Sequence, residues 1–113
     1  MDARFAEIDF GDWELQAWAL IDRALLDAWA ASPLHFCPPG GESVAAMRHR
    51  VIAALDEHGS ASDHLVVVAH GGPLRAILGH LLRWSDDVWL RYEISYGACL
   101  QLEIAADGVC KLR

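Results

Sequence analysis

Hydrophobic positions along the chain change period several times, and each change marks an element. Leu65-Val66-Val67-Val68-Ala69 is an unbroken apolar run, mostly β-branched, which suits a strand buried on both faces. His70, Gly71, Gly72 and Pro73 follow at once, and then Leu74, Ile77, Leu78, Leu81 and Leu82 are spaced three and four apart. That is a helical period, with Pro73 at the first helical position, where its missing N–H costs nothing. The region reads strand, tight turn, helix, with an imidazole at the carboxyl end of the strand. Upstream, Val44, Met47, Val51, Ala54 and Leu55 make the stripe of a second helix, with Ser43 as N-cap and Gly59 placed as a C′ glycine. Residues 13–31 predict another helix, with Asp12 as N-cap, a stripe of Trp18, Ile21, Leu25 and Trp29, and a stop at Ser32-Pro33. Ser85-Asp86-Asp87 caps a short helical turn through Trp89. Residues 92–96 and 98–105 read as strands, the latter with Leu100, Leu102 and Ile104 alternating with Gln101 and Glu103. Asp107-Gly108 is read as a two-residue hairpin turn, after which residues 109–113 return as an edge strand.

The pattern predicts an α/β fold with an accounting problem. A central strand over residues 65–69 needs a paired neighbour on each side. The other strand candidates all follow it and look like a meander, so a neighbouring strand is missing. Its unpaired edge offers a route to a homo-oligomer, since exposed apolar edges pair with other chains.

Composition narrows the class. The 113 residues are 54% hydrophobic with a net charge of −7, enough apolar surface for a core in one small domain or part of one. No basic run exists, which argues against nucleic acid and anionic membranes as partners. The N-terminal residues are charged and carry no apolar signal region, and no segment reaches the length of a membrane helix. Cys37, Cys99 and Cys110 lack any C-x-x-C spacing, so they read as reduced thiols of a cytoplasmic protein.

The chemistry gathers where strand meets helix. In open α/β sheets ligands bind beyond the carboxyl ends of strands, and a helix N-terminus attracts anions. Gly71 and Gly72 let the backbone approach a ligand closely, and a protonated His70 there would face a bound anion, most simply a phosphate. Glu42, just before a helix and beside two glycines, has two readings: complementing the helix dipole, or lining a substrate mouth. No metal-ligand cluster stands out, and no cofactor is expected.

Three segments, in order, resemble the histidine phosphatase superfamily, also called phosphoglycerate mutase-like. Glu7-Ile8-Asp9-Phe10-Gly11-Asp12-Trp13-Glu14 is similar to the segment carrying the family's acid/base glutamate. Pro39-Gly40-Gly41-Glu42-Ser43, with Arg50 on the following helix, resembles the Gly-Gly-Glu-Ser element of the phosphatase branch. His70-Gly71-Gly72-Pro73-Leu74-Arg75 resembles the second catalytic histidine motif. The combination is most similar to alpha-ribazole phosphatases of cobalamin nucleotide-loop synthesis. The resemblance implies part of a three-layer α/β/α domain with a mixed sheet, residues 1–113 forming a single incomplete domain without its first strand. It implies Glu7 as the acid/base, His70 as the phosphate-stabilising histidine, Gly71 and Gly72 as backbone donors, a structural role for Arg75, and a small phosphomonoester as substrate. The family's nucleophile is a His in an Arg-His-Gly triplet, and no such triplet occurs in this chain; Arg48-His49-Arg50 lies within a predicted helix and lacks the glycine. The reading is therefore a phosphomonoester hydrolase that is inactive as this shortened chain. The alternatives are a non-catalytic phosphate-binding module or pseudo-phosphatase, and an inactive remnant completed by a partner chain.

Overall fold

A computed structural model describes residues 1–113. Four α-helices carry the fold: α1 Arg23–Ala31, α2 Val44–Ala61, α3 Gly71–Leu81 and α4 Asp86–Arg91. A single antiparallel hairpin closes the chain, β1 Leu102–Ile104 against β2 Cys110–Leu112. Short 3₁₀ turns cover Ala3–Phe5, Gly11–Trp13 and Trp18–Leu20. No helix is long and apolar enough to cross a membrane.

The core sits where α2, α3 and α4 meet. Met47, Val51 and Leu55 of α2, all in its predicted stripe, pack on Ala76 and Ile77 of α3 and on Trp89 of α4. On α3 the spacing predicts Ile77 but not Ala76, and Leu74, Leu81 and Leu82 are only half-buried. Gly79 lets α4 dock: a Cβ there would lie 2.6 Å from the Trp89 Cβ and Cγ atoms. The buried indole satisfies its N–H on Asp86 Oδ1 at 2.9 Å. At α2 the Ser43 hydroxyl accepts from the Ala46 amide, the N-cap bond its position predicts. The helix runs through Gly59 to Ala61 rather than stopping at Gly59.

The predicted helix over residues 13–31 is shorter and starts later. Its first half is two separate 3₁₀ turns, and Leu15 has φ +61°. The cap is Asp22, not Asp12. Aromatic packing explains the difference. A continuous helix would place Trp13 and Trp29 about 24 Å apart along its axis, whereas their rings meet at 6.1 Å, with Phe36 stacked on Trp13 at 5.5 Å. Burying Trp13 requires the chain to fold back.

Strands differ more. Residues 65–69 run without any ladder partner and are not assigned as a strand. Val67 packs toward the core, whereas Val66 and Val68 are 86% and 90% exposed. An apolar run becomes a strand only when backbone groups find partners, and no neighbour within the chain supplies them. Residues 92–96 are likewise unpaired, and the strand expected over 98–105 shortens to β1. The hairpin turn has three residues rather than two: Ala105 N–H donates to Val109 O, Gly108 N–H donates back to Ala105 O, and Gly108 takes φ +86°. This is the form in which a type I turn is followed by a left-handed glycine.

Candidate functional site

Two polar loops dock on each other and set one wall of the site. Residues 9–12 lie against residues 39–42: Asp12 N–H donates to Pro39 O at 2.8 Å, and Glu42 N–H to Asp9 O at 2.9 Å. The Asp9 amide donates to Glu42 Oε1 at 3.1 Å. Two glycines permit this approach. A Cβ on Gly41 would overlap Asp9 O and crowd Gly11 N, and a Cβ on Gly11 (φ +58°) would overlap Gly41 N and Pro39 O. The two motifs that resemble separate family segments are thus halves of one backbone-to-backbone joint.

Arg50 ties this joint to α2. Its Nε and Nη2 donate to the two Glu42 carboxylate oxygens at 3.1 and 2.5 Å. Its Nη1 donates to the carbonyls of Arg4 and Ala6, both at 2.7 Å, and Nη2 also reaches Glu7 O at 3.2 Å. The Arg50 hydrogen bonds hold the Glu42 carboxyl below its ordinary range, as does, to a lesser extent, the Asp9 amide. A second ion network braces the Ala3–Phe5 turn on α2: Arg4 bridges Asp2 and Glu57, and His58 Nε2 lies 2.9 Å from Asp2 Oδ2. Arg4 keeps the Asp2 carboxyl well below the usual carboxylate range. Asp2, Glu57 and His58 are close enough to share a metal ion, but the Arg4 guanidinium already fills that role of a cation between the carboxylates.

The opposite wall is the first turn of α3. His70 is its N-cap residue with extended backbone, and its side chain is exposed and makes no capping bond. Gly71, rather than Pro73, is the first helical residue; Pro73 still falls in the first turn, where no intrahelical donor is needed. Glu7 meets this turn: the Gly72 amide donates to Glu7 Oε2 at 3.3 Å while Glu7 Oε1 accepts from the Ile8 amide at 2.9 Å. A Cβ at Gly72 would overlap Glu7 Oε1, so glycine is what lets the carboxylate reach the helix end. Negative charge at that end is favourable. The Gly72 donor is thereby engaged by Glu7, whereas the space around Gly71 is open.

Both walls border a cleft of about 390 Å³ with Glu7 and Gly72 at one side. Phe10, Trp29, Phe36, Met47 and Trp89 make it largely apolar and aromatic, and Arg75, Asp87 and Arg91 supply charge at its border. Glu42 also lines it, although its carboxylate is engaged by Arg50. Glu7, Glu42 and Gly72 are thus brought together in one cleft, whereas Gly71 and the exposed His70, just before Gly72 in the chain, do not line it. Arg75 reaches the cleft and joins none of the ion pairs within the chain. Sequence reasoning gave Arg50 no role of its own; the available signal was an arginine in the second turn of the helix that follows the Gly-Gly-Glu-Ser element.

Residues 1–112 match the family model described as histidine phosphatase superfamily (branch 1). The fold is similar to that of the alpha-ribazole phosphatase from Shigella flexneri, with TM-score 0.84 and 22% identity over 100% of this chain and 58% of that one. An Escherichia coli protein described as an alpha-ribazole-5'-P phosphatase superposes with TM-score 0.83 and 25% identity over 99% of this chain and 57% of its own. A mycobacterial glucosyl-3-phosphoglycerate phosphatase, solved with VO3, gives TM-score 0.68 and 27% identity over 99% of this chain and 60% of its own. The chain therefore spans less than two-thirds of the length of these relatives, and its fold is a fragment of the phosphoglycerate mutase-like fold.

Proposed function

The chain belongs to the histidine phosphatase superfamily, and from that premise we propose that its cleft receives a small phosphomonoester of the alpha-ribazole phosphate kind, within the cytoplasmic synthesis of the cobalamin nucleotide loop. The observation that carries this reading is the Glu7 carboxyl group at the edge of an aromatic cleft, accepting at 3.3 Å from the amide of Gly72, two residues beyond the exposed His70. In this role Glu7 hands a proton to the leaving alkoxide oxygen as its P–O bond breaks and the phosphoryl group passes to a nucleophilic histidine, which these 113 residues do not supply. It then takes a proton from the water that displaces that histidine from phosphorus. His70 and the Gly71 amide neutralise charge on the phosphoryl oxygens, where positioning and electrostatics dominate phosphoryl transfer. The aromatic walls, Trp29 and Phe36 among them, suit a planar base on the alcohol side of the ester. Two of the structural relatives, described as alpha-ribazole phosphatases, support that choice of substrate.

The absence of an Arg-His-Gly triplet supports a second reading of the 113-residue chain taken alone: it binds phosphate and does not turn substrate over, because the group that forms the covalent intermediate is missing. The test has two parts. Following the His70 imidazole by NMR during phosphate titration at pH 6 should show a shift at millimolar phosphate that His70→Ala removes. Phosphate release from p-nitrophenyl phosphate and alpha-ribazole phosphate should stay at background. Robust turnover lost in His70→Ala and retained in His49→Ala would overturn the inactivity; no shift of His70 would remove the phosphate site itself.

A further inference from the structure

Arginine carries five N–H donors in a rigid planar fork. At Arg50 all five are engaged, by the carbonyls of Arg4, Ala6 and Glu7 and by both oxygens of Glu42. Three of these acceptors belong to one irregular segment that ends at Glu7, and Glu42 in turn holds the Asp9 amide on the other side of Glu7. Residues 6–9 have no helix or sheet to keep them in place. The backbone under the Glu7 side chain is therefore bracketed from both sides by one guanidinium and its carboxylate partner, both based on α2 or its N-terminal loop. α2 also packs directly on α3, the helix whose Gly72 amide meets Glu7.

We propose that Arg50 is a positioning residue for the Glu7 carboxylate, acting through the backbone of residues 4–7 and through Glu42. The inference rests on the reading of Glu7 as the acid–base group of the phosphatase site. Arg50 transmits the location of α2 to residues 4–7, so the gap between Glu7 and the first turn of α3 is set by helix packing and not by the loop itself. A lysine at 50 has three donors on a flexible stem and cannot span three carbonyls and a bidentate carboxylate; a merely electrostatic role would tolerate it.

Amide NMR spectra of the full chain test this. Glu7→Gln identifies the reporters, because Ile8 and Gly72 donate to that carboxylate. In Arg50→Lys and in Glu42→Gln the Gly72 amide signal should move toward its Glu7→Gln position, while the core amides of Val51 and Leu78 stay where they are in the unaltered chain. If Arg50→Lys does not fold, the isosteric Glu42→Gln carries the test. A Gly72 signal unmoved in the folded variants overturns the proposal. So does Arg50→Lys behaving like the unaltered chain, or a Gly72 shift accompanied by equal shifts throughout the core, which would mark a general structural role. Phosphate titration of the unaltered chain is scored separately: an unmoved His70 removes the phosphatase reading, whatever the Gly72 signal does in the variants.

Discussion

The two sides of the cleft are held in opposite ways. On the Glu7 side, a stretch of mixed polarity with only short 3₁₀ turns, whose Phe5 and Ile8 pack toward the core, is tied down by backbone bonds to residues 39–42 and by the Arg50–Glu42 pair. On the His70 side, the most apolar stretch of the chain approaches the site with no backbone partner on either edge. Hydrophobicity alone has not made residues 65–69 a strand, and the lack of a regular period has not left residues 4–12 loose. What fixes a segment is where its backbone donors and acceptors go. The consequence for the site is asymmetry: the Glu7 backbone has several cross-braces, and His70 depends on the α3 end to which it is attached.

The largest effect that separates the two sides is expected at the glycine joint. Gly41→Ala forces backbone atoms of residues 9–11 and 39–41 apart, with no flexible side chain able to give way, and should cost about 3 kcal/mol, the upper part of the range for overpacking, measured by urea unfolding. A loss below about 0.5 kcal/mol would mean that the joint yields easily and that the contrast is overstated.

Acid should loosen the Glu7 side selectively. Asp2 and Glu42 both have folded-state pKa values below their ordinary 3.8 and 4.5, with Arg4 and Arg50 hydrogen bonds as the leading causes. A carboxyl lowered on folding contributes stability that is fully present above its unfolded pKa and is lost as pH falls through the folded one. Stability should therefore hold above about pH 5 and decline as pH drops below about 4.5. Glu42→Gln should flatten that decline, and an unchanged slope between pH 6 and pH 3 would show that the Arg50–Glu42 pair contributes no linked proton.

On the other side, Val67→Ala should cost about 1 kcal/mol for its contact with the core. Val68→Lys, at an exposed position, should change stability by less than about 0.5 kcal/mol. Its readout is association: a charge on an open edge opposes strand pairing. We expect the unaltered chain to self-associate with rising concentration in sedimentation runs, and Val68→Lys to remain monomeric; two monomeric proteins would count against pairing through this edge. One further effect is small and of opposite sign. Gly59 lies inside α2 with open space around its Cβ position, so Gly59→Ala should stabilise by about 0.5–1 kcal/mol, in contrast to the loss at Gly41.

Periodicity and short motifs determined a good deal by themselves. The stripes of α2 and α3, the Ser43 cap, the helical turn through Trp89 and the hairpin at the end of the chain were legible because each depends on neighbours within a turn or a hairpin. The family was legible from three motifs in order. Tertiary structure decided the rest, because those features depend on distant partners. Trp13 turns back onto Trp29 and Phe36 instead of continuing a helix, since burying its ring against them outweighs local helix preference. Residues 65–69 stay unpaired because a strand requires a second one beside it, which no local pattern supplies. Three of the five bonds of Arg50 join positions 43 to 46 residues apart, too far in sequence for spacing to reveal them; the other two go to Glu42. Gly11 and Gly41 read as separate turn residues along the chain; only their contact in space makes them one joint, with Glu7 beside it.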